Sequence, residues 1–439
     1  MSRNITELNC DVIIIGAGIN GAGIARDAAM RGLRVLVLDK GDIGGGTSSA
    51  STRLIHGGLR YLEHGEPGLV RESLRERETL FRIAPHLVTS LALLIPIYRN
   101  RRRGRFTIRA GMIAYDLLSF DKSLPLHRML SPADALQHAP GLKTEGLLGA
   151  ALYFDGHVEF AERLVLENVL SAREHGATVL TYARVDTLII ESERVRGVEF
   201  TDELSGEKQQ AHASIVVNAS GPWVDNVLTT AGAETTRLVG GTKGSHIVVA
   251  KFPTAPTSAL YVEAEADHRP FFIIPWNGNY LIGTTDIRYE GDLDHVRIDD
   301  VEIDYLLHET NWLFPKADLQ RESILYSYSG VRPLAASNAA HEDRITRRHF
   351  VREHRSVAGL VSIVGGKLTT YRQLSEEAVD LLVRKLGREA RCTTAQRPLP
   401  GAGWNYTTSC GEFRRRNPLS AETRERLLRI YGINARRVL

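Results

Sequence analysis

Gly16-Ala17-Gly18-Ile19-Asn20-Gly21 follows the apolar run Asp11-Val12-Ile13-Ile14-Ile15 and opens an Ala/Gly-rich stretch from Ile19 to Arg31, closed by Gly32. The G-x-G-x-x-G spacing suits a nucleotide pyrophosphate. Gly16 permits the tight turn, Gly18 lets the pyrophosphate approach the backbone, and Gly21 lets the helix pack closely on the strand, with the helix N-terminus facing the phosphates. Asp39 stands 18 residues past Gly21, at the end of a second apolar run, Val35 to Leu38, where a carboxylate accepts from ribose hydroxyls. A glycine turn alone says little. Strand, helix, second strand and acid in this register predict a dinucleotide site.

The fingerprint by itself does not choose between a nicotinamide and a flavin dinucleotide. Two later loops bear on that choice. Gly44-Gly45-Gly46-Thr47-Ser48-Ser49-Ala50-Ser51 is a small-residue loop that can offer amides and the hydroxyls of Thr47, Ser48 and Ser49 to phosphate and to a flavin edge. Gly365-Gly366-Lys367-Leu368-Thr369-Thr370 precedes a helical stretch, with Thr370 and Gln373 spaced as a capping box. A helix N-terminus aimed at the flavin N1–C2=O edge would stabilise the anionic reduced ring, which makes Gly366, Leu368 and Thr369 cofactor-binding candidates.

These loops need strands and helices to hold them. The opening βαβ unit predicts a parallel sheet. A charged helix is expected from Leu69 to Ile83, an amphipathic helix from Phe160 to His175, and strands at Ala177 to Tyr182, around Leu188-Ile189-Ile190, at Val195 to Phe200 and at Ile215-Val216-Val217. Strand-like segments His246 to Ala250, Phe271 to Ile274 and Tyr280 to Ile282 predict a mixed or antiparallel sheet. The expected fold is therefore α/β: a Rossmann-like parallel sheet, a mixed-sheet substrate domain and a partial helical C-terminal cap. The expected division is 1–90, 150–230 and 330–388 for the dinucleotide domain, and 91–149 and 231–329 for the substrate domain. The cap, 389–439, reads as incomplete.

Longer motifs carry a resemblance. Thr47-Ser48-Ser49-Ala50-Ser51 through His56-Gly57-Gly58-Leu59-Arg60-Tyr61-Leu62-Glu63, Lys243-Gly244-Ser245-His246-Ile247-Val248-Val249 and Ile282-Gly283-Thr284-Thr285-Asp286 resemble the signature of FAD-dependent glycerol-3-phosphate dehydrogenases. So do Tyr328-Ser329-Gly330-Val331-Arg332-Pro333-Leu334 and Gly365 to Arg372, and the resemblance runs from about residue 10 to 385. It places the chain in the D-amino-acid-oxidase-like flavoprotein group. It implies FAD as cofactor, oxidation of sn-glycerol 3-phosphate to dihydroxyacetone phosphate, and transfer of electrons to a quinone at a membrane. Val185, Ser220 and Gly221 join the glycine turn, Asp39 and the two loops as cofactor-binding residues. By the same resemblance Arg60, Arg332 and Arg347 are the cations of the substrate site, with Tyr61 beside them.

A secondary alcohol has no acidic C–H, so hydride transfer from C2 to flavin N5 is the economical route. It needs a phosphate anchor, a group taking the hydroxyl proton and a dry pocket. Arginines suit the anchor through bidentate charge-assisted bonds. Arg332 counts among the catalytic as well as the binding residues. Lys367 can bind phosphate or polarise the carbonyl forming at C2. His246 is the expected general base, although a histidine on an apolar strand is more often structural; His56 lines the flavin or only forms a turn.

Composition bounds the alternatives. With 439 residues, 43% hydrophobic and 24% charged, the chain can bury full cores in two or three domains, and a net charge of +3 gives no reason to expect nucleic acid. Three scattered cysteines, without a CxxC pair or a Cys/His cluster, predict neither a metal site nor a disulfide framework. No signal peptide pattern opens the chain, and no run approaches the roughly 20 apolar residues that span a bilayer. The basic run Arg99, Arg101, Arg102, Arg103, Arg105 and Arg109, flanked by apolar residues, is what a segment lying on anionic lipid needs. A cytoplasmic protein held peripherally on the inner face of the cell membrane is expected, and it could pair as a homodimer. Rival readings are a glycerol-3-phosphate oxidase using O₂, an amine or amino-acid oxidase of the same fold, and a non-catalytic flavoprotein.

Overall fold

The computed structural model describes residues 8–99, 101–230, 237–336 and 347–439. Val12 to Ile15 have no polar face, and the reason is visible in how the strand Leu8–Ile15 is covered. Val12 and Ile14 point into one core with the helices Ile19–Met30 and Tyr371–Lys385, while Ile13 and Ile15 point into another with Leu188, Val198 and Phe200. Each such fully buried aliphatic stabilises the fold by about 1.5–3 kcal/mol. The helix Ile19–Met30 is built from small residues because it is wedged between sheet and helices. A Cβ on Gly23 would come within 2.8 Å of the Tyr371 ring.

The first sheet has eight strands. Leu8–Ile15 is flanked in parallel by Val35–Leu38 and Lys208–Asn218; Leu360–Val364 extends one side and Thr178–Leu180 the other. Phe350–Glu353 closes one edge, and the hairpin Ala183–Glu191/Arg194–Asp202 continues antiparallel from Lys208–Asn218. The parallel strands end at one edge. Ile15 is in register with Leu38 and Asn218, and Asn218 with Ser362, so Gly16, Asp39, Ser220 and Gly365 emerge together. That edge is where ligands of open parallel sheets bind.

The second sheet is mixed and has ten strands. Its centre is the long pair Val88–Tyr98 and Leu147–Val158, with Val88–Tyr98 parallel to Ala259–Glu263. Pro270–Trp276, Asn279–Gly283 and Thr242–Val249 continue it antiparallel, and Ile324–Arg332 lies against Thr242–Val249. The α/β architecture with a parallel and a mixed sheet is the one expected. The positions 90 and 149, where the sequence suggested changes of domain, fall inside or beside the two central strands of this second sheet. Sequence periodicity also passed over the helix Asp300–Leu313, whose start is marked by a capping box between Asp299 and Glu302.

Beyond residue 390 the helices Tyr406–Arg416 and Ala421–Tyr431 share a small core of Cys410, Phe413 and Leu428. They are tied to the body where the Gly401 N–H donates to buried Glu167 at 2.6 Å and Leu399 N–H to the Ile83 carbonyl at 2.8 Å.

Candidate active site

At the edge of the parallel sheet the glycine turn is closed by contacts only glycine tolerates. Gly16 has φ +101°, and a Cβ there would meet the Ala219 carbonyl oxygen at 2.7 Å; one on Gly21 would overlap the Gly16 carbonyl oxygen. Asp39 braces the turn, accepting from Ala17 N–H at 2.6 Å and Gly41 N–H at 2.8 Å. The Ser48 hydroxyl accepts from Ile19 N–H at 2.9 Å, at the helix end where phosphates are held. Gly366, at φ +96°, could bear no Cβ without approaching the Asn20 amide at 2.9 Å, and Asn20 donates to the Gly365 carbonyl at 3.2 Å. The fingerprint, the small-residue loop and the Gly365 loop therefore converge.

Val185 lies on the strand that begins at Ala183, whose N–H donates to the Asp39 carbonyl at 2.7 Å. Ser220 and Gly221 follow directly on Ala219, beside Gly16. Thr369 Oγ1 accepts from His56 N–H at 3.1 Å, joining the Gly365 loop to the turn that carries Arg60, and Leu368 packs against the core under the sheet edge. Thr47 Oγ1 donates to the Val331 carbonyl at 2.6 Å, one residue before Arg332. The expected Thr370–Gln373 capping box does not form. Thr370 makes no side-chain capping bond, and Gln373 donates to Glu377 instead.

A dinucleotide bearing a flavin fits this cradle. Asn20 Oδ1 and Trp223 Nε1 are buried polar atoms without a protein partner, and the Trp223 ring lies beside Gly46. Uncompensated, each would cost about 1–3 kcal/mol, so both mark places where a polar ligand belongs.

Next to this edge the second sheet walls a cavity of about 830 Å³. Arg60, Tyr61, Arg332, Arg347, Asp286 and Thr52 are among its lining residues. Arg332 donates to Asp286 Oδ1 at 3.0 Å and to Thr284 Oγ1 at 2.9 Å, while Arg347 donates to Asp286 Oδ2 at 3.0 Å. One carboxylate thus holds two guanidiniums apart and aimed. Burial alone would raise the Asp286 carboxyl; Arg332 and Arg347 outweigh it and hold it below the usual carboxylate range. Arg60 adds to the same field, so three arginines act on this one carboxylate.

His246 is 1% exposed and is not itself part of the wall. Its Nε2 lies 2.9 Å from the hydroxyl of Thr52, which does line the cavity, its ring stacks on Tyr328 at 4.8 Å, and its Nδ1 has no protein partner. Burial, with Arg332 and Arg53 adding to it, pushes the imidazole down to about 3, so it is neutral at ordinary pH. Lys367 also stands behind the wall. Its Nζ is 3.1 Å from Ser73 Oγ and 4.0 Å from the centroid of the Tyr61 ring, and burial pushes it down to about 7.

Thr52 and Asp286 carried no role in the sequence reading. Both stand in or beside motifs, but nothing in a motif says which hydroxyl meets the imidazole or which acid spaces two arginines.

The charged segment after residue 99 divides. Arg103 pairs with Glu63 at 2.5 Å and Glu263 at 2.8 Å, and Arg101 stacks over Trp312. Arg102, Arg105 and Arg109 are exposed beside the stripe Phe106, Ala110, Ile113 and Leu117 of the helix Arg105–Leu118, where Phe106 is 88% exposed. No helix among the described residues is long and apolar enough to cross a membrane.

A parallel sheet with a glycine turn at its carboxyl edge, backed by a mixed sheet that walls a cavity lined by arginines and carboxylates, defines a flavoprotein oxidoreductase. The family model described as FAD dependent oxidoreductase matches residues 11–372, and the chain belongs to that family. It is an FAD-dependent enzyme, as the motifs predicted. It is 51% identical to a glycerol-3-phosphate dehydrogenase of Synechocystis sp., over all of this chain and 82% of that protein. It is 40% identical to the D-erythritol 1-phosphate dehydrogenase of Brucella abortus, over 96% of this chain and 83% of that one. The crystal structure of the glycerol-3-phosphate dehydrogenase from Bacillus halodurans complexed with FAD superposes with a TM-score of 0.82 at 31% identity, covering all of this chain and 78% of the other.

Proposed function

We propose that the protein oxidises sn-glycerol 3-phosphate to dihydroxyacetone phosphate and delivers the electrons to a quinone at a membrane surface. The observation that carries this reading is the Arg332–Asp286–Arg347 arrangement on the cavity wall, beside Arg60 and next to the flavin edge of the parallel sheet. The names of the glycerol-3-phosphate dehydrogenase relatives support it.

FAD, held by the glycine turn and the two loops, would supply the two-electron acceptor for the alcohol's hydride. The remaining work belongs to side chains. Arg332 and Arg347, spaced by Asp286, grip a phosphate dianion with Arg60, and Tyr61 closes the pocket over it. His246 takes the C2 hydroxyl proton through Thr52, whose hydroxyl spans cavity and imidazole; burial and Arg332 weaken it as a base, so the proton moves only in concert with loss of hydride from C2. Lys367, behind Tyr61, contributes charge to the phosphate end rather than a contact. Gly16, Gly18, Gly21, Asp39, Thr47, Ser48 and Ser49 hold the dinucleotide, with Val185, Ser220, Gly221, Gly366, Leu368 and Thr369 around it.

The exposed stripe Phe106–Ile113–Leu117, edged by Arg102, Arg105 and Arg109, supports peripheral contact with anionic lipid, which would bring a quinone within reach. A second substrate has its own support. One relative, 40% identical, is named for a four-carbon polyol phosphate. Parallel kcat/KM measurements on sn-glycerol 3-phosphate and D-erythritol 1-phosphate decide between them. Comparing quinone reduction with peroxide formation decides between dehydrogenase and oxidase.

A further inference from the structure

Lys243, Ser245 and Thr285 stand in motifs of the chain, yet none of them grips substrate or cofactor in the site described above. A single carboxylate joins them. Glu302 is 4% exposed, lines the cavity and sits in the first turn of the helix Asp300–Leu313. Its Oε1 accepts from Ser245 Oγ at 2.8 Å and from Thr285 Oγ1 at 2.6 Å. Its Oε2 pairs with Lys243 Nζ at 2.8 Å and accepts from Asp299 N–H at 3.2 Å.

Each partner leads to a different part of the site. Ser245 precedes His246 on the strand Thr242–Val249. The Thr285 carbonyl accepts from Arg332 at 3.1 Å, and the next residue is Asp286. A helix-capping glutamate needs only the Asp299 bond. This one spends its other oxygen on two hydroxyls from two different segments, one beside the imidazole and one beside the arginine. A buried carboxylate is tolerated only where such partners are satisfied, and a fully satisfied network is rigid.

We propose that Glu302 is the positioning residue that fixes His246 relative to Arg332. The separation between the proton-accepting group and the phosphate anchor is then set by one side chain. This rests on the phosphorylated-alcohol reading above, because only a substrate with a hydroxyl and a phosphate at fixed spacing feels that separation.

The test is anaerobic flavin reduction by sn-glycerol 3-phosphate in holoenzyme, followed against substrate concentration, with FAD content and Tm measured on every variant. Glu302→Leu is expected to lower the apparent second-order rate roughly 10- to 100-fold, with weaker saturation and unchanged FAD content. Glu302→Gln keeps one oxygen acceptor for Ser245 and Thr285 but turns an amide NH2 toward Lys243 and the Asp299 N–H, so it recovers only part of that loss. In an Arg332→Ala background Glu302→Leu costs less than about threefold further, because residues acting through one another are not additive. If Glu302→Leu does not fold, Thr285→Val must show the same non-additivity with Arg332→Ala at smaller size. Additive losses, or a lowered Tm with unchanged saturation and rate, overturn the proposal. A wild-type protein that sn-glycerol 3-phosphate does not reduce removes the substrate reading itself, and this inference with it; reduction of wild type with indifferent Glu302 and Thr285 variants removes only the inference.

Discussion

The hydroxyl of Thr52 lies 2.9 Å from Nε2 of His246 and is the point where that buried imidazole meets the cavity. Thr52→Val, which removes the hydroxyl, should slow flavin reduction by about 10- to 100-fold, and His246→Gln by about 10²–10⁴-fold, both with FAD retained. Near-normal reduction in both variants would remove the base from the mechanism.

The same imidazole gives a pH signature. Its value falls from an ordinary 6.5 to about 3, so it stays neutral as pH drops through 6.5. With substrate saturating, so that ionisation of the phosphate and of Lys367 no longer enters, the reduction rate should show no loss centred near 6.5, and a titration there would contradict the assignment. The sign for stability follows from linkage. An unfolded chain protonates this histidine near 6.5 and the folded one only near 3, so its contribution is whole above 6.5 and is lost as pH falls towards 3.

Asp286 spaces Arg332 and Arg347. Replacing it with Asn leaves two guanidiniums facing each other with half their anchor. KM for the phosphorylated substrate should rise at least about tenfold while FAD content holds. Arg332→Ala, which deletes one arm of a charge-assisted grip, should cost about 2–5 kcal/mol of transition-state binding, read as kcat/KM. An Asp286→Asn enzyme of unchanged KM would show that the carboxylate only packs.

Lys367 is pushed down to about 7 by burial, against an ordinary value of 10.5. It is cationic below pH 7 and neutral above, so its attraction for a dianion fades as pH rises through 7. Affinity for the substrate should fall over that interval in wild type and lose this dependence in Lys367→Met, as fluorescence or absorbance titration of the oxidised flavin would read. An identical profile in the two proteins would place Lys367 outside the substrate's field.

Vesicle binding is the measure of the exposed stripe. Phe106→Asp with Leu117→Asp should abolish co-sedimentation with anionic liposomes and leave reduction by soluble substrate unchanged. Neutralising Arg102, Arg105 and Arg109 should weaken it by about 1 kcal/mol per charge. Neutralising Arg103 tests nothing of this kind, since it is held by Glu63 and Glu263. Binding that survives all of these substitutions would move lipid contact elsewhere.

The dinucleotide half was legible because its requirements are local. A tight turn, a close helix and a strand-end acid each demand a residue type at a fixed offset, and Gly16, Gly21 and Asp39 meet them within one βαβ unit. The elements from Val88 to Val158 were harder. The strands Val88–Tyr98 and Leu147–Val158 are covered on both faces for much of their length and show no alternation, so they look like any apolar run. The cavity wall was legible in residue type but not in geometry. Arg332 and Arg347 could be named, whereas the acid between them and the threonine beside His246 follow from which segments of the second sheet lie side by side, and the lysine's place behind Tyr61 from how the loop after Leu360–Val364 packs. Sequence spacing carries no information about that.

The cavity that carries Arg60, Arg332 and Arg347 should take a phosphorylated alcohol and pass its electrons to FAD. Anaerobic addition of sn-glycerol 3-phosphate to the FAD-loaded protein tests it most directly. Bleaching of the oxidised flavin band with stoichiometric dihydroxyacetone phosphate is expected, and none with glycerol or with amino acids. A flavin that stays oxidised with the phosphorylated alcohol, or bleaches with an amino acid instead, would contradict it.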